Sequence, residues 1–534
     1  MACFTLDDRE IPFEPGETVI QAAARAGIEI PHYCWHPGLS VAGNCRMCLV
    51  ELLPPPGRAP VTLNVVRWDA GRREYVEEQK PKLVPACNQR VSDGMVVKSD
   101  TSPHVQRARR AVQELLLLNH PVDCPICDQA GECRLQDYWL EHQARPKRML
   151  DEIIHRPKAV RFGPHIVYDA ERCILCTRCV RVSAELARDP VLSVRERGNL
   201  NEIVVSPGRQ LDHPYSLMTE LVCPVGALTA QDFRFKARVW FLRSAPTICQ
   251  GCGTGCNAFL DFDPRTDTAY RHRPRHNPAV NGHFMCDEGM LSYRRVHEDR
   301  ILRGVLKGEA ADLAQVVAAA AKRLAKARER RGLAGLLSMQ HSQEDNLATL
   351  TLGRALGVKA WFVSGKAAGE GDAILRHPDK NPNRAGVAAL CPEAGPVEAL
   401  ATALEAGEFE DLLALGSDLP DVILERPFGK PRLRVVLASH DGPLARAATV
   451  LLPASTWAEA EGTFVNARGL AQVSERAIRP RGDSLPAWRL VAMLADALGV
   501  ELGWRGGRDL RRLLAGVGAG EPGGIAADGA GDVG

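Results

Sequence analysis

The chain has 534 residues, 45% hydrophobic and 25% charged, an ordinary globular composition with length for roughly three to five domains. Its 67 Lys and Arg nearly cancel its 65 Asp and Glu, for a formal net charge of +2, which excludes a nucleic-acid binder acting through bulk electrostatics. No stretch approaches the roughly 18 uninterrupted apolar residues of a membrane helix, and the start, MACFTLDDREIPF, has neither a basic segment nor an apolar signal core. The expectation is a soluble, cytoplasmic protein. Of 17 cysteines, 16 lie in the first 286 residues and only Cys391 in the remaining 248. Reducing compartments disfavour disulfides, so clustered cysteines there read as metal or cluster ligands.

Four such sets follow in chain order. Thr18 and Gln21 have capping-box spacing ahead of a short Ala-rich helix that Gly27 is placed to end. Then come Cys34, Cys45 and Cys48, with Cys87 further on. A close Cys-x2-Cys pair, one cysteine upstream and one distant resemble the ligands of a [2Fe–2S] ferredoxin, although the upstream gap is ten residues rather than the plant-type four. Gly43 and Asn44 suit a loop whose N–H groups turn toward sulfur. The competing reading is a four-cysteine zinc site, which ordinarily uses two short knuckles.

A helix predicted from about Val105 to Leu118 leads to the second set, NHPVDCPICDQAGEC, with His120, Cys124, Cys127 and Cys133. One His and three Cys suit zinc or a [4Fe–4S] cluster, and the histidine alone could be a helix cap. Its place between two other cysteine sets favours the cluster. The third set, Cys173, Cys176 and Cys179 with Cys223 before Pro224, has two-residue gaps. A bacterial two-cluster ferredoxin repeats C-x2-C-x2-C-x3-C-P twice, each fourth cysteine serving the other cluster. In that frame Ser183, His213, Ser216 and Thr219 replace four ligands, and the four that remain belong around one [4Fe–4S] cluster. The fourth set is Cys249, Cys252 and Cys256 with Cys286 after 29 residues. It suits a further [4Fe–4S] site, with a zinc ribbon as the alternative, and Gly251, Gly253 and Gly255 relieve crowding around it. Cys3 and Cys391 are left over and read as small buried residues.

Beyond about residue 300 the pattern is α/β. DLAQVVAAAAKRLAKARER reads as an exposed helix before a strand near Leu333 to Leu337. WFVS, LLALGS, LRVVLAS and TVLLPA are short apolar runs separated by helical stretches, as in a parallel sheet with crossovers. LPAWRLVAMLADALG is an amphipathic helix, and the Gly/Ala-rich end reads as disordered. No Rossmann or Walker fingerprint follows a strand.

The order of the sites resembles the G subunit of bacterial NADH:quinone oxidoreductase, respiratory complex I. The sixteen positions match that family's ligands over residues 1 to about 300, and TVLLPASTWAEAEGTFVNARGLAQ continues the likeness more weakly. The resemblance implies a multidomain α/β and α+β chain. Residues 1–100 would form a β-grasp [2Fe–2S] ferredoxin domain, 101–140 a one-His three-Cys [4Fe–4S] domain, and 141–240 a one-cluster ferredoxin-like [4Fe–4S] domain. Residues 241–300 would form a fourth [4Fe–4S] domain opening a molybdopterin-oxidoreductase-like region, 301–514 its shortened α/β domain, and 515–534 a disordered tail.

It also implies one [2Fe–2S] and three [4Fe–4S] clusters, and a relay of electrons toward quinone. FMN and NADH would sit on a flavoprotein partner, with a further iron–sulfur subunit as acceptor and attachment to the cytoplasmic face of the membrane through other subunits. No residue is expected to act as acid, base or nucleophile. Two departures stand out: the last domain is short, and Glu288 sits where molybdenum relatives generally carry Lys or Arg. No molybdopterin is therefore expected. An NAD-linked formate dehydrogenase subunit is the alternative, but it would carry a full eight-cysteine ferredoxin. An NAD-linked hydrogenase small subunit would stop after the third set, and a zinc-stabilised scaffold would need all four spacings to mislead together.

Overall fold

The computed structural model describes residues 2–53, 62–146, 148–330, 332–420 and 433–516. The chain divides into two compact units, one ending at Trp240 and one beginning at Phe241.

The first unit opens on the hairpin Cys3–Leu6 and Arg9–Pro12. Asp7 and Asp8 turn it with φ of 47° and 67°, the left-handed pair that suits the twist of a tight hairpin. Cys3–Leu6 also pairs in parallel with Val96–Lys98, which runs antiparallel to Leu49–Leu53, and Leu83–Pro85 closes the far edge. The helix Val19–Arg25 packs Val19, Ile20, Ala22 and Ala23 on this sheet against Phe4, Leu6, Val50 and Val97. Its start follows the expectation, with the Thr18 N–H donating to Gln21 Oε1 at 2.9 Å. Gly27, at φ 72°, ends it, the N–H of Ile28 reaching Ala23 O and that of Gly27 reaching Ala24 O, the paired bonds of a Schellman cap.

The Asp7 carboxylate accepts the N–H groups of Ser99, Asp100 and Thr101, tying the hairpin to the start of the helix Pro103–Leu117. Ser102 caps that helix through the Val105 N–H, with Pro103 in its first turn. One element has no counterpart among the expectations from sequence. Thr62–Asp69 and Glu74–Pro81 form a separate two-stranded ribbon that exposes Val66, Trp68 and Tyr75. The rest of the unit is short pieces around cysteine loops: a three-stranded sheet of Val160–Arg161, Ile166–Tyr168 and Leu228–Ala230, the hairpin Leu192–Arg195 with Glu202–Val205, and the helices Arg178–Arg181 and Met218–Leu221.

The second unit begins with the antiparallel strands Arg243–Ile248, Asn257–Asp263 and Thr268–Pro274. Burial alone would raise the Asp261 carboxyl between them, but Arg273 and Arg271, each 2.6 Å away, hold it well below the usual range. An eight-stranded sheet follows. Six of its strands are parallel, in the spatial order Gly395–Pro396, Ala360–Ser364, Leu333–Ser338, Asp411–Leu415, Leu433–Ala438, Val450–Pro453. The expected strands are thus present, in the 3-2-1-4-5-6 order of a doubly wound fold, without a glycine fingerprint after Leu333–Ser338. Gly304–Leu306 and Glu309–Ala311 add an antiparallel edge.

Alternate residues of the parallel strands feed opposite cores. Leu413, Val435 and Leu452 meet the helices Leu313–Arg330 and Ala487–Leu498 on one face, while Leu412, Val436 and Leu451 meet Val397–Glu405 on the other. The helix Leu313–Arg330, expected to be exposed, instead buries Val316, Val317, Ala320, Leu324 and Ala327, an i, i+4 stripe masked in the sequence by its small residues. The last helix runs Gly507–Gly516, and the tail expected to be disordered lies, from residue 517 on, outside the described residues.

The segment after TVLLPA is anchored by a buried ion pair. The Arg300 guanidinium meets the Glu459 carboxylate at 3.0 and 2.6 Å, the side chains being 3% and 0% exposed. Glu459 also accepts the N–H of Thr456 and of Arg481. Breaking such a pair leaves an uncompensated buried charge, so Glu459→Gln should destabilise this unit by about 3–5 kcal/mol in urea unfolding, whereas pairing it with Arg300→Met should recover part of the loss. Equal stability of Glu459→Gln and the parent chain would show that the pair contributes nothing.

Candidate iron–sulfur centres

The first set lies on the loop between the helix Val19–Arg25 and the strand Leu49–Leu53, with Cys87 following Leu83–Pro85. Cys34, Cys48 and Cys87 are buried and Cys45 half-buried. The thiols approach in two pairs, Cys34 with Cys45 and Cys48 with Cys87. The Cys45 thiol and the N–H groups of Cys45 and Asn44 hold Cys34 down to about 5 despite burial, so backbone donors do turn toward sulfur here. Gly43 and Arg46, at φ 64° and 59°, give the loop that shape.

In the second set, Cys124 opens a tight turn and Cys133 stands at the head of the helix Arg134–Tyr138. Cys127 has Cys124 as a charged neighbour and Cys133 has both, and burial pushes Cys133 up to about 12. His120 shares Asp123 and Arg172 as charged neighbours with Cys127. Burial pulls its imidazole down to about 4, so it is neutral at pH 7, and its Nδ1 is buried without a partner. A neutral imidazole with an orphaned nitrogen is the form a metal or cluster binds.

The third set is gathered around one cavity. Cys173, Cys176, Cys179 and Cys223 line it with Tyr168, Ile174, Thr177, Ile203, Val225 and Leu228. Leu175 and Thr177, at φ 53° and 62°, bend the CILCTRC loop around it, and the Leu175 N–H points at Cys173 Sγ from 3.4 Å. Burial pushes Cys173, Cys176 and Cys223 up to about 11 and Cys179 further. The Tyr168 hydroxyl accepts the Ile203 N–H at 3.3 Å and hydrogen-bonds to Cys173.

The positions that would have held a second cluster now serve the fold. Ser183 Oγ accepts the Val191 N–H at 3.0 Å and donates to Asp189 O, and Thr219 Oγ1 donates to Ser216 O at 2.7 Å.

The fourth set stands in the second unit and is buried throughout. Cys249 and Cys256 are joined by a 2.8 Å backbone bond. Gly251 N–H points at Cys249 Sγ and Gly289 N–H at Cys286 Sγ, at 3.4 and 3.3 Å. Burial pushes Cys286 up to about 12 and Cys249 and Cys256 beyond it. Gly253 and Gly255 do relieve crowding, but against the chain that covers the loop: a Cβ would stand 3.1 Å from His377 Nδ1 or from Asn466 Cβ. Against sulfur, a Cβ on Gly251 would stand 3.4 Å from Cys249 Sγ, and one on Gly289, which no spacing pattern singles out, 3.1 Å from it.

Of the two leftover cysteines, Cys391 is buried in a small core with Leu337, Met339, Leu350, Trp361 and Val387. Cys3, expected to be buried, is only half so, on a strand. Among the described residues, no group of three or more His, Cys, Asp or Glu side chains forms a site for a single metal ion.

The first three sets adjoin one another, and the first meets the second where the Tyr33 ring, beside Cys34, packs on Tyr138. The third touches the first through Arg178, Arg181 and Asn44, which bond to main-chain carbonyls at or beside the cysteines. It touches the second where the Arg134 N–H donates to Pro224 O at 3.2 Å and where Gly226 abuts Cys127. The third set therefore has hydrogen-bonded contact with both others.

Comparison with known proteins gives matches segment by segment along the chain. Models described as a 2Fe-2S iron-sulfur cluster binding domain, an NADH-ubiquinone oxidoreductase-G iron-sulfur binding region and an NADH-quinone oxidoreductase subunit 3 ferredoxin-like domain match residues 1–102, 109–148 and 163–229. A molybdopterin oxidoreductase Fe4S4 domain and a molybdopterin oxidoreductase domain match 242–298 and 396–497. The chain is thus an iron–sulfur protein with 2Fe–2S and 4Fe–4S binding domains ahead of a molybdopterin-oxidoreductase-like region.

The G subunit of the NADH-quinone oxidoreductase of Streptomyces coelicolor is 36% identical over 315 residues, 59% of this chain and 34% of that protein. Its counterpart in Rickettsia conorii is 36% identical over 58% and 41% of the two chains, and the NADH-ubiquinone oxidoreductase 78 kDa subunit of Neurospora crassa 38% over 53% and 34%. A chain of an NAD+-reducing [NiFe]-hydrogenase is 30% identical, with 45% of this chain and 91% of that one covered and a TM-score of 0.36. Over the part these proteins share with it, the chain is similar to NADH-quinone oxidoreductase G subunits. It spans about a third to two-fifths of their length.

Two substitutions test the geometry. A Cβ on Gly226 would stand 2.5 Å from Cys127 Sγ, so Gly226→Ala should strip iron from the second set while leaving the other sets loaded, as metal analysis and electron paramagnetic resonance would read. Tyr168→Phe should keep the iron but lower the midpoint potential at the third set, because a donor toward sulfur is lost. An unchanged potential would remove Tyr168 from the site's tuning groups.

Proposed function

We propose that this chain is the iron–sulfur electron-transfer subunit of a complex I-type NADH:quinone oxidoreductase. It takes electrons from an NADH- and FMN-binding flavoprotein partner and passes them singly toward the next iron–sulfur subunit and quinone. The observation that carries the reading is the gathering of three donor sets in one unit, buried or half-buried, supplied with backbone N–H groups and bonded loop to loop. Cys34, Cys45, Cys48 and Cys87 would hold a [2Fe–2S] cluster. His120, Cys124, Cys127 and Cys133, then Cys173, Cys176, Cys179 and Cys223, then Cys249, Cys252, Cys256 and Cys286, would each hold a [4Fe–4S] cluster. Bound clusters supply one-electron redox chemistry at each site.

The side chains do the rest. Ile174, Ile203, Val225 and Leu228 keep water from the third site. The N–H groups of Asn44, Leu175, Gly251 and Gly289 point at sulfur and ease the charge of thiolates. At the second site a neutral imidazole in place of a thiolate removes one negative charge, which raises that site's potential relative to four cysteines.

The C-terminal region does not fit a molybdenum cofactor. Cys391 is enclosed in an apolar core, and Glu288 stands where a cation would be needed, itself paired to Lys380 at 3.1 Å. Ser183 and Thr219, committed to backbone bonds, likewise weigh against a formate-dehydrogenase-like reading with a second ferredoxin cluster. Among the described residues no helix is long and apolar enough to cross a membrane, so attachment to the cytoplasmic face of the membrane would come through partner subunits.

The test is an iron and acid-labile sulfide count on the anaerobically reconstituted chain. About 14 iron atoms without zinc or molybdenum is the expected result. About 10 would mean that one four-iron set is not a cluster site, and stoichiometric molybdenum would overturn the assignment.

A further inference from the structure

We propose that Arg181 is the positioning residue that couples the first and third donor sets, a role that rests on both being cluster sites. Its Nη2 donates to the carbonyl of Cys34 and lies 3.4 Å from the carbonyl of Cys176, so one nitrogen joins the main chains of two candidate ligands, one from each set. Its Nη1 donates to Ser40 O, on the first-set loop. Arg178, on the same helix and 2% exposed, repeats the pattern one residue out, donating to Trp35 O beside Cys34 and to Val222 O beside Cys223. Asn44 Nδ2 donates to Leu175 O at 3.2 Å, and the Ser40 N–H to Glu185 at 2.9 Å. The Nε–H groups of both arginines are buried without an acceptor in the polypeptide, which leaves them as donors for sulfur.

Two features separate this from an ordinary clamp. A guanidinium cannot lose its proton, so a permanent positive charge stands between two sites that each gain negative charge on reduction, and it favours the reduced form of both. Its planar fork spans three carbonyls at once, which an ammonium on a shorter stem does not. The step served is the transfer of one electron: one site is oxidised by one electron, the other is reduced by one, no bond forms or breaks, and Arg181 keeps its proton.

The reconstituted full-length chain tests this in Arg181→Gln and Arg181→Lys, with Ser40→Ala as a control that removes the hydroxyl's bond to Glu185 across the same contact and keeps the Ser40 carbonyl that Arg181 uses. Redox titration followed by electron paramagnetic resonance gives the potentials of both sites. Flash photoreduction with a substoichiometric donor gives the rate at which they equilibrate. Arg181→Gln, with full iron content, should lower both potentials and slow equilibration by about tenfold or more, the scale that follows from mis-setting reacting groups. Arg181→Lys should restore the potentials but not the full rate, and Ser40→Ala should leave both near the parent values. Parent potentials and rate in Arg181→Gln at full iron would overturn the proposal, as would an equal slowing in Ser40→Ala. A parent chain whose first or third set takes up no cluster would instead defeat the functional reading on which the proposal rests.

Discussion

Taking thiols out of water is the constraint that organises this molecule. Burial favours the neutral thiol, yet iron binds the thiolate, so each cysteine loop has to return the stabilisation that solvent would have given. Cys173, Cys176 and Cys223 show the size of the problem, standing near 11 despite the backbone donors turned toward them. The polypeptide answers with N–H groups turned inward by left-handed residues such as Leu175 and Thr177. It adds cations packed where a smaller core would place aliphatic side chains. Arg172 between Asp123 and Asp169, and Arg178 behind the third loop, belong to this second device. A bound cluster would supply what remains, which would make these loops and their cofactors one thermodynamic unit.

Much of this is legible in the sequence, because ligand spacing is a local property. Cys-x2-Cys turns, the capping pair Thr18 and Gln21, and the parallel strands from Leu333 to Pro453 all declare themselves within a few residues. What is not legible depends on distant partners. Nothing near Gly226 announces that it faces Cys127, and nothing near Gly289 announces Cys249. The ribbon Thr62–Asp69 with Glu74–Pro81 is hidden because its strands are largely polar and exposed, so neither shows the alternation that marks a half-buried strand. The helix Leu313–Arg330 misleads for the converse reason: half of its buried residues are alanine, which reads as neither core nor surface.

The C-terminal sheet separates architecture from chemistry. Its strand order is that of a doubly wound nucleotide-binding domain, but the turn after Leu333–Ser338 reads Met339, Gln340, His341, with side chains where a phosphate loop would carry glycines. The order persists because it is a packing solution: alternate strand residues must feed two helical layers, and Leu412 and Leu413 do so whatever lies at the carboxyl edge.

The contact of Gly226 and Pro224 with the second cysteine loop bears on how the protein is made. A ribosome delivers Cys124, Cys127 and Cys133 long before it delivers residues 224–226, so the second loop emerges lacking the wall that completes it. Closing so long an intervening segment is slow and entropically unfavourable compared with forming a local turn. Until that closure the nascent chain displays unshielded thiols, open to oxidation or to the wrong metal. The wall of the second cysteine loop is therefore one that translation can supply only late.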